Sequence, residues 1–246
     1  MTRALDAACD AALALLYPAG CAACGARPVE RRADFPACAR CWSETRIFTA
    51  RDALCRKCGA TAPTDLVGDW KESVRCGRCD AEEFTAARAC GAYEGALRAA
   101  VLGLKREPHA GRRLAELLAE TCARQPLARA SRVLPVPLHP TRERERGFNQ
   151  AAVLARAVSA RTRLPLDEGS LVRVAHSARH RAGMDSRGRR ESVAGVFAVA
   201  RPRLVAGESI LLVDDVLTTG ATVSACASVL LAAGAREVLV VTVARA

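Results

Sequence analysis

Residues Ile210–Val223, ILLVDDVLTTGATV, most narrow what this chain can fold into. Four apolar residues run straight into Asp214 and Asp215. Thr218, Thr219, Gly220 and Thr222 follow, and then an apolar pattern of helical spacing continues to Leu231. A short apolar run bounded by charge has the length of a strand buried on both faces, as in parallel sheets. A strand whose carboxyl end turns acidic, then rich in hydroxyls and glycine, then helical is how an α/β sheet builds an anion site. Hydroxyls and backbone N–H groups converge there, and the helix dipole adds to them. The expectation is an α/β fold with a parallel sheet, in which this segment meets phosphate.

Two other chemistries end an apolar strand in paired acids. A P-loop nucleotide site needs G-x-x-x-x-G-K-[ST], and none of the three lysines (Lys57, Lys71, Lys105) sits in that context. A phospho-receiver carries its acids on the first strand of its domain, whereas this pair falls late in the chain.

The first 90 residues follow another logic. Four C-x-x-C pairs stand in order, Cys21/Cys24, Cys38/Cys41, Cys55/Cys58 and Cys76/Cys79, with 13 to 17 residues between pairs. Each pair lets two thiolates reach one ion from a tight turn, and a tetrahedral zinc takes two such turns. Gly25, Gly59 and Gly77 sit beside these cysteines, where a turn wants positive φ. Eight thiolates make two structural Cys₄ zinc sites. Sequential pairing is favoured, and spacing alone leaves interleaved pairing open. Zinc would supply much of the folding energy of a segment this poor in strand and helix pattern. Cys9, Cys90, Cys122 and Cys226 are isolated and read as packing residues.

Charge is uneven. Residues 1–90 hold 13 Lys+Arg against 12 Asp+Glu, a balance of +1, while residues 91–246 hold 24 against 14, a balance of +10. The basic half is the one with the phosphate segment, which suits a phosphorylated ligand or a nucleic-acid backbone. The near-neutral, thiolate-bearing front argues against its being the main DNA-contacting surface. Residues 1–17 read as a short packed helix, since Asp6 and Asp10 interrupt the apolar run a signal peptide would need. No apolar run reaches membrane-spanning length, so a cytoplasmic protein that is not membrane-spanning is expected. The chain divides at about residue 90 into a cysteine-rich domain (1–90) and an α/β domain (91–246).

Between the two features the pattern gives helices at 96–104 and 112–124, a strand at 132–138 and a helix at 149–161. Short strands follow at 171–174 and 193–199, and a last strand at 237–243. Arg142, Arg144 and Arg146, after His139, follow a strand's carboxyl end, where ligands bind in open α/β sheets. Arginine forks suit phosphate oxygens, but Glu143 and Glu145 alternate with them, so a self-neutralising loop remains open. Lys105 is equally a phosphate contact or a solvated helix-end cation. Residues 175–192, rich in Arg and His, read as a mobile lid.

The segment V-D-D-V-L-T-T-G-A-T resembles the phosphoribosyl-pyrophosphate (PRPP) motif of type I phosphoribosyltransferases. The fuller set includes the paired C-x-x-C motifs and Tyr93-Glu-Gly95 leading to Leu104-Lys105. It continues with Val136-Pro-Leu-His139, Arg146-Gly-Phe-Asn-Gln150 and Gly195-Val-Phe197. Together these resemble the ComF family, late-competence proteins with double zinc fingers and a phosphoribosyltransferase-like domain. The resemblance implies a type I phosphoribosyltransferase-like parallel sheet flanked by helices, preceded by a small zinc-ribbon domain. It implies PRPP binding with Mg, with Asp214 and Asp215 on the ribose hydroxyls. Leu217, Thr218, Thr219, Gly220, Ala221 and Thr222 would wrap the 5′-phosphate, and His139, Arg142, Arg144 and Arg146 would face pyrophosphate. It also implies a role in DNA uptake or recombination, with single-stranded DNA and competence or recombination proteins as partners. The alternative is an active transferase of nucleotide metabolism with an unidentified acceptor.

Overall fold

The computed structural model describes residues 19–62, 74–174 and 195–246, together with Ala12. Apart from Ala12, the helix expected over 1–17 lies outside the described residues, as does the lid expected over 175–192. The elements run α1 (Ala39–Glu44), β1 (Ala86–Ala92), α2 (Gly95–Leu104), α3 (Arg112–Cys122), β2 (Arg132–Pro135), α4 (Pro140–Arg146) and α5 (Gln150–Thr162). They continue with β3 (Leu171–Arg173), β4 (Phe197–Val199), β5 (Ser209–Leu217), α6 (Ala221–Ala232) and β6 (Glu237–Arg245).

Four strands form one sheet in the order β1-β6-β5-β2, and every neighbouring pair is parallel. The central strands β5 and β6 are continuous apolar runs because both their faces are covered. Leu211, Val213, Leu239 and Val241 pack with Leu97, Leu118 and Leu154 of α2, α3 and α5. Their alternates Ile210, Leu212, Val238 and Val240 pack with Val223 and Leu230 of α6 and with Phe197 of the antiparallel β3–β4 pair. The result is the expected parallel sheet flanked by helices. Its first strand begins at Ala86, so the sheet draws on residues just ahead of the division read at residue 90.

Two expectations shift locally. The strand read over 132–138 ends at Pro135, although the Val136 N–H still donates to Val213 O at 3.0 Å. Residues 140–146, expected as a loop, form a helix with Pro140 in its first turn, where a missing N–H costs nothing.

The cysteine-rich front is fastened to the sheet by backbone and buried polar contacts. Phe48 N donates to Cys90 O at 2.8 Å, Ala92 N to Arg46 O at 3.0 Å, and Ala87 N to Lys57 O at 2.6 Å. Gly91 permits this approach, since a Cβ there would stand 2.2 Å from Arg46 O. Asp34 receives the Arg113 guanidinium at 2.8 Å, and the same guanidinium lies 4.9 Å over the Trp42 ring. The Trp42 indole donates to Asp34 O at 2.6 Å.

Candidate functional site

β5 delivers Asp214 and Asp215 to the carboxyl edge of the sheet, between β6 and β2. Both residues are half-buried. Their first interactions are with their own chain: Asp215 N donates to Asp214 Oδ1, and Val216 N to Asp215 Oδ1, each at 2.8 Å. Burial, and then the charge of Asp215, push the Asp214 carboxyl well above the usual carboxylate range. Lys105, at the end of α2, stands close enough for its charge to act against that rise. Lys105 and the acid pair, 109 residues apart in the chain, are thus brought within electrostatic reach of one another.

After Leu217, which is buried, Thr218 and Thr219 lead to Gly220 at φ 88°. A side chain at that φ is strained, and a Cβ would also meet Glu82 Oε2 at 3.3 Å. Gly220 is the N-cap of α6 and supplies no capping oxygen, so beyond Ala221, whose N–H meets Thr219 Oγ1, no N-cap side chain competes with an anion at the start of this 12-residue helix. Thr219 Oγ1 stands 3.4 Å from the Ala221 N–H at the loop's exit. Ala221 is buried and Thr222 part-exposed.

The arginine segment approaches from β2. His139 caps α4, its Nδ1 accepting from Thr141 N at 3.2 Å. At about 100° per residue, α4 puts Arg142 and Arg146 on one side and Arg144 on the other. Arg144 turns back to Pro140 O at 3.3 Å, so the three arginines do not converge. Arg146 reaches Gln150 Oε1, and Gln150 Nε2 lies 3.4 Å from Asp215 Oδ2. Asn149 holds this corner, donating to Val136 O at 3.0 Å and accepting from Ala151 N at 3.0 Å to cap α5. Asn149 and Gln150 were legible as a motif but not as site residues. The one available signal was their place directly after the arginines at a helix start.

The cysteines gather as expected from sequential pairing. Cys21, Cys24, Cys38 and Cys41 form one cluster and Cys55, Cys58, Cys76 and Cys79 the other, with the sulfurs of each within 4.8 Å of one another. Contacts of 3.7 Å (Cys21–Cys41, Cys55–Cys79) and 3.5 Å (Cys58–Cys76, Cys76–Cys79) approach the ~3.8 Å edge of a ZnS₄ tetrahedron with ~2.3 Å bonds. Gly25, Gly59 and Gly77 take φ of 67°, 66° and 67° at the turns. Burial acts to raise the Cys21 thiol, but N–H groups of Cys38, Cys24 and Ala23 overcome it and bring the pKa to about 6. The donor set fits two structural zinc ions. Cys90 and Cys122 differ, since burial pushes each thiol up to about 12, as suits packing residues.

The second cluster adjoins the phosphate loop. Arg245, at the end of β6, donates to Cys58 O at 2.8 Å and stands 3.7 Å from Cys58 Sγ. Glu83 N donates to Ser224 Oγ in the first turn of α6 at 2.8 Å. A cavity of about 660 Å³ lies between cluster and loop, bounded by Thr218–Gly220, Arg46, Arg78 and Arg245.

A parallel sheet with an acidic, glycine-capped strand–helix junction, preceded by two Cys₄ clusters, defines a zinc-ribbon phosphoribosyltransferase fold. Residues 123–246 match the phosphoribosyl transferase domain, and the chain belongs to that family. Residues 12–80 match the double zinc ribbon domain. The chain is 33% identical over 115 residues to Competence protein F of Haemophilus influenzae, covering 46% of this chain and 50% of that protein. It is 35% identical over 109 residues to DNA utilization protein YhgH of Escherichia coli O157:H7, covering 44% and 47% respectively. The chain thus spans about half the length of the curated relatives it matches, and the ComF resemblance stands in them. A solved glutamine PRPP amidotransferase from B. subtilis overlaps 52% of this chain and 25% of its own. At 22% identity and a TM-score of 0.36, that likeness is too slight to bear on the fold.

Proposed function

We propose that this chain binds PRPP with Mg and serves DNA uptake or recombination. Asp214 and Asp215 hold the ribose hydroxyls, and Leu217–Thr222 hold the 5′-phosphate. The observation that carries the reading is the junction itself: paired acids near the end of β5, running through Gly220 into the N-terminus of α6. Two part-exposed carboxylates suit a Mg ion, which keeps several waters and shares phosphate oxygens. When bound, that ion neutralises pyrophosphate charge. Lys105, whose charge reaches Asp214, and Arg146, linked to Asp215 through Gln150, are the cations this reading assigns to pyrophosphate. His139, Arg142 and Arg144 stand earlier, at the cap and in the body of α4, where their contribution is to the approach of an anion.

The DNA part of the reading is supported by the similarity to proteins named for competence and DNA utilization. Among the described residues no helix is long and apolar enough to cross a membrane. Eight thiols in two clusters suit the reducing cytoplasm, which is our proposal for location. A division into a ribbon unit over 1–90 and a sheet unit over 91–246 is likewise proposed. Transfer to an acceptor is the second reading. It uses the same residues, since catalysis by such a site is positioning and electrostatics.

The test is calorimetric titration of PRPP, with and without Mg, into wild type and Asp214→Ala/Asp215→Ala. Binding by wild type and its loss in the variant is the expected result. Failure of wild type to bind would end the PRPP reading. Release of pyrophosphate with an added amine or base would favour the transferase.

A further inference from the structure

A second basic feature lies away from the phosphate loop. A cleft of about 750 Å³ opens between the second cysteine cluster and the edge strand β1. Among the described residues Arg56, Lys57, Arg75, Arg88, Arg124 and Arg129 line it, against one carboxylate, Asp52. Two of the six cations are matched elsewhere: Arg75 with Asp80 at 2.7 Å and Arg129 with Glu237 at 2.8 Å. Arg56, Lys57, Arg88 and Arg124 form no ion pair among the described residues. Arg88 and Arg124 are nevertheless held in place by oxygens of the protein. Arg88 donates to Ala87 O at 2.8 Å and Arg56 O at 3.1 Å, and Arg124 to Phe48 O at 2.9 Å and Thr121 Oγ1 at 2.8 Å.

Two oriented guanidinium groups thus line one cleft, neither in an ion pair among the described residues. Burial lowers the Arg88 pKa, the Cys55 and Cys58 sulfurs behind it offset part of that, and the neighbouring Arg124 charge lowers it again. Like charges left close together and part-desolvated cost energy unless an anion joins them. The cleft floor is small: Thr85, Ala86 and Ala89 of the β1 edge. Among the described residues no aromatic ring lines it, so they offer a nucleobase nothing to stack on, and a chain of phosphates has several charges to meet.

We infer that this cleft is a nucleic-acid site separate from the PRPP site, holding the phosphodiester backbone of a single strand without reading its bases. The inference rests only on the nucleic-acid part of the proposed function, not on PRPP binding. The near-neutral front is not expected to be the main DNA-contacting surface; here Arg56, Lys57, Arg75 and Arg88 of that front share a cleft with Arg124 and Arg129 from beyond residue 90.

The experiment is fluorescence anisotropy of a labelled oligothymidine with the full, zinc-loaded chain over a range of salt. PRPP titrations on the same preparations test that reading separately. Wild type should bind with a log–log salt slope of about −3, from four contacts at ~0.7 each. The exposed double variant Arg56→Gln/Lys57→Gln should bind on the order of tenfold more weakly, with the slope reduced by about 1.4. Asp214→Asn/Asp215→Asn should bind the strand as wild type does. Circular dichroism and zinc content matching wild type establish that the cleft variant is folded; if they differ, Arg124→Gln takes its place. An unchanged affinity in a folded cleft variant overturns the inference. So does displacement of the strand by PRPP, or binding of tripolyphosphate without binding of the strand.

Discussion

Gln150 ties Arg146 to Asp215: its carbonyl oxygen takes the guanidinium while its amide nitrogen lies 3.4 Å from the carboxylate. An amide at this point can satisfy both charges at once, because it offers an acceptor to the cation and a donor to the anion. It links the carboxyl end of β5 to the last residue of α4.

Replacing Gln150 by Ala is expected to weaken PRPP about 5-fold, near 1 kcal/mol for one such hydrogen bond at the site. Gln150→Glu should weaken it further by setting a third carboxylate beside Asp214 and Asp215. Calorimetry measures both, and equal affinity for wild type and Gln150→Glu would remove Gln150 from the site.

Asp214 gives a stability prediction with a definite sign. Its carboxyl is raised in the folded chain by burial and then by Asp215. The folded state therefore holds its proton to higher pH than the unfolded state, and stability falls as pH rises from about 4 through the folded value. Asp214→Asn removes that loss. The variant should melt about 2–4 °C higher than wild type at pH 8, the shift that ~1 kcal/mol produces at this chain length, and no higher at pH 4. It should also bind PRPP poorly. A variant that melts lower at pH 8 contradicts the burial argument.

Gly220→Ala combines a left-handed φ of 88° with a Cβ 3.3 Å from Glu82. A loss of about 1–2 kcal/mol is expected by urea unfolding. Because the strain lies in the phosphate loop, affinity for PRPP should fall as well. Loss of stability with unchanged affinity would separate this turn from the ligand.

Metal analysis should return about two zinc per chain, and Cys58→Ser about one. The serine variant also removes the sulfur that Arg245 approaches at 3.7 Å. The carboxyl end of β6 should then show faster amide exchange than in Cys38→Ser, whose cluster lies elsewhere.

Much of this architecture was legible because the patterns carrying it are local. The β5–α6 junction is one continuous stretch, and its strand, glycine and helix appear where the residues place them. The cysteine clusters follow from C-x-x-C spacing, and the structure chooses sequential pairing by bringing sulfurs to 3.5–3.7 Å. What was hidden is long-range or depends on orientation. Alternating arginines looked convergent until α4 sent Arg144 to the opposite side, since a helix and an extended loop aim the same residues differently. Arg245 meets Cys58 across 187 residues, which no window of sequence reveals. The basic cleft was concealed because its cations come from both parts of the chain, Arg56, Lys57, Arg75 and Arg88 from the front and Arg124 and Arg129 from beyond residue 90.

The strand order has a consequence for how the molecule is made. β1 is joined to the rest of the sheet through β6, and the Val238–Thr85 contact closes a loop of 153 residues. A ribosome therefore completes the zinc-binding front and β1 long before the strand that β1 needs. Loop closure on this scale makes late pairing slow. In that interval the front must be held together by its metal, and one long edge of β1 stays open to the wrong neighbour. Zinc supply during synthesis, more than zinc supply afterwards, would then decide how much of this chain reaches its native form.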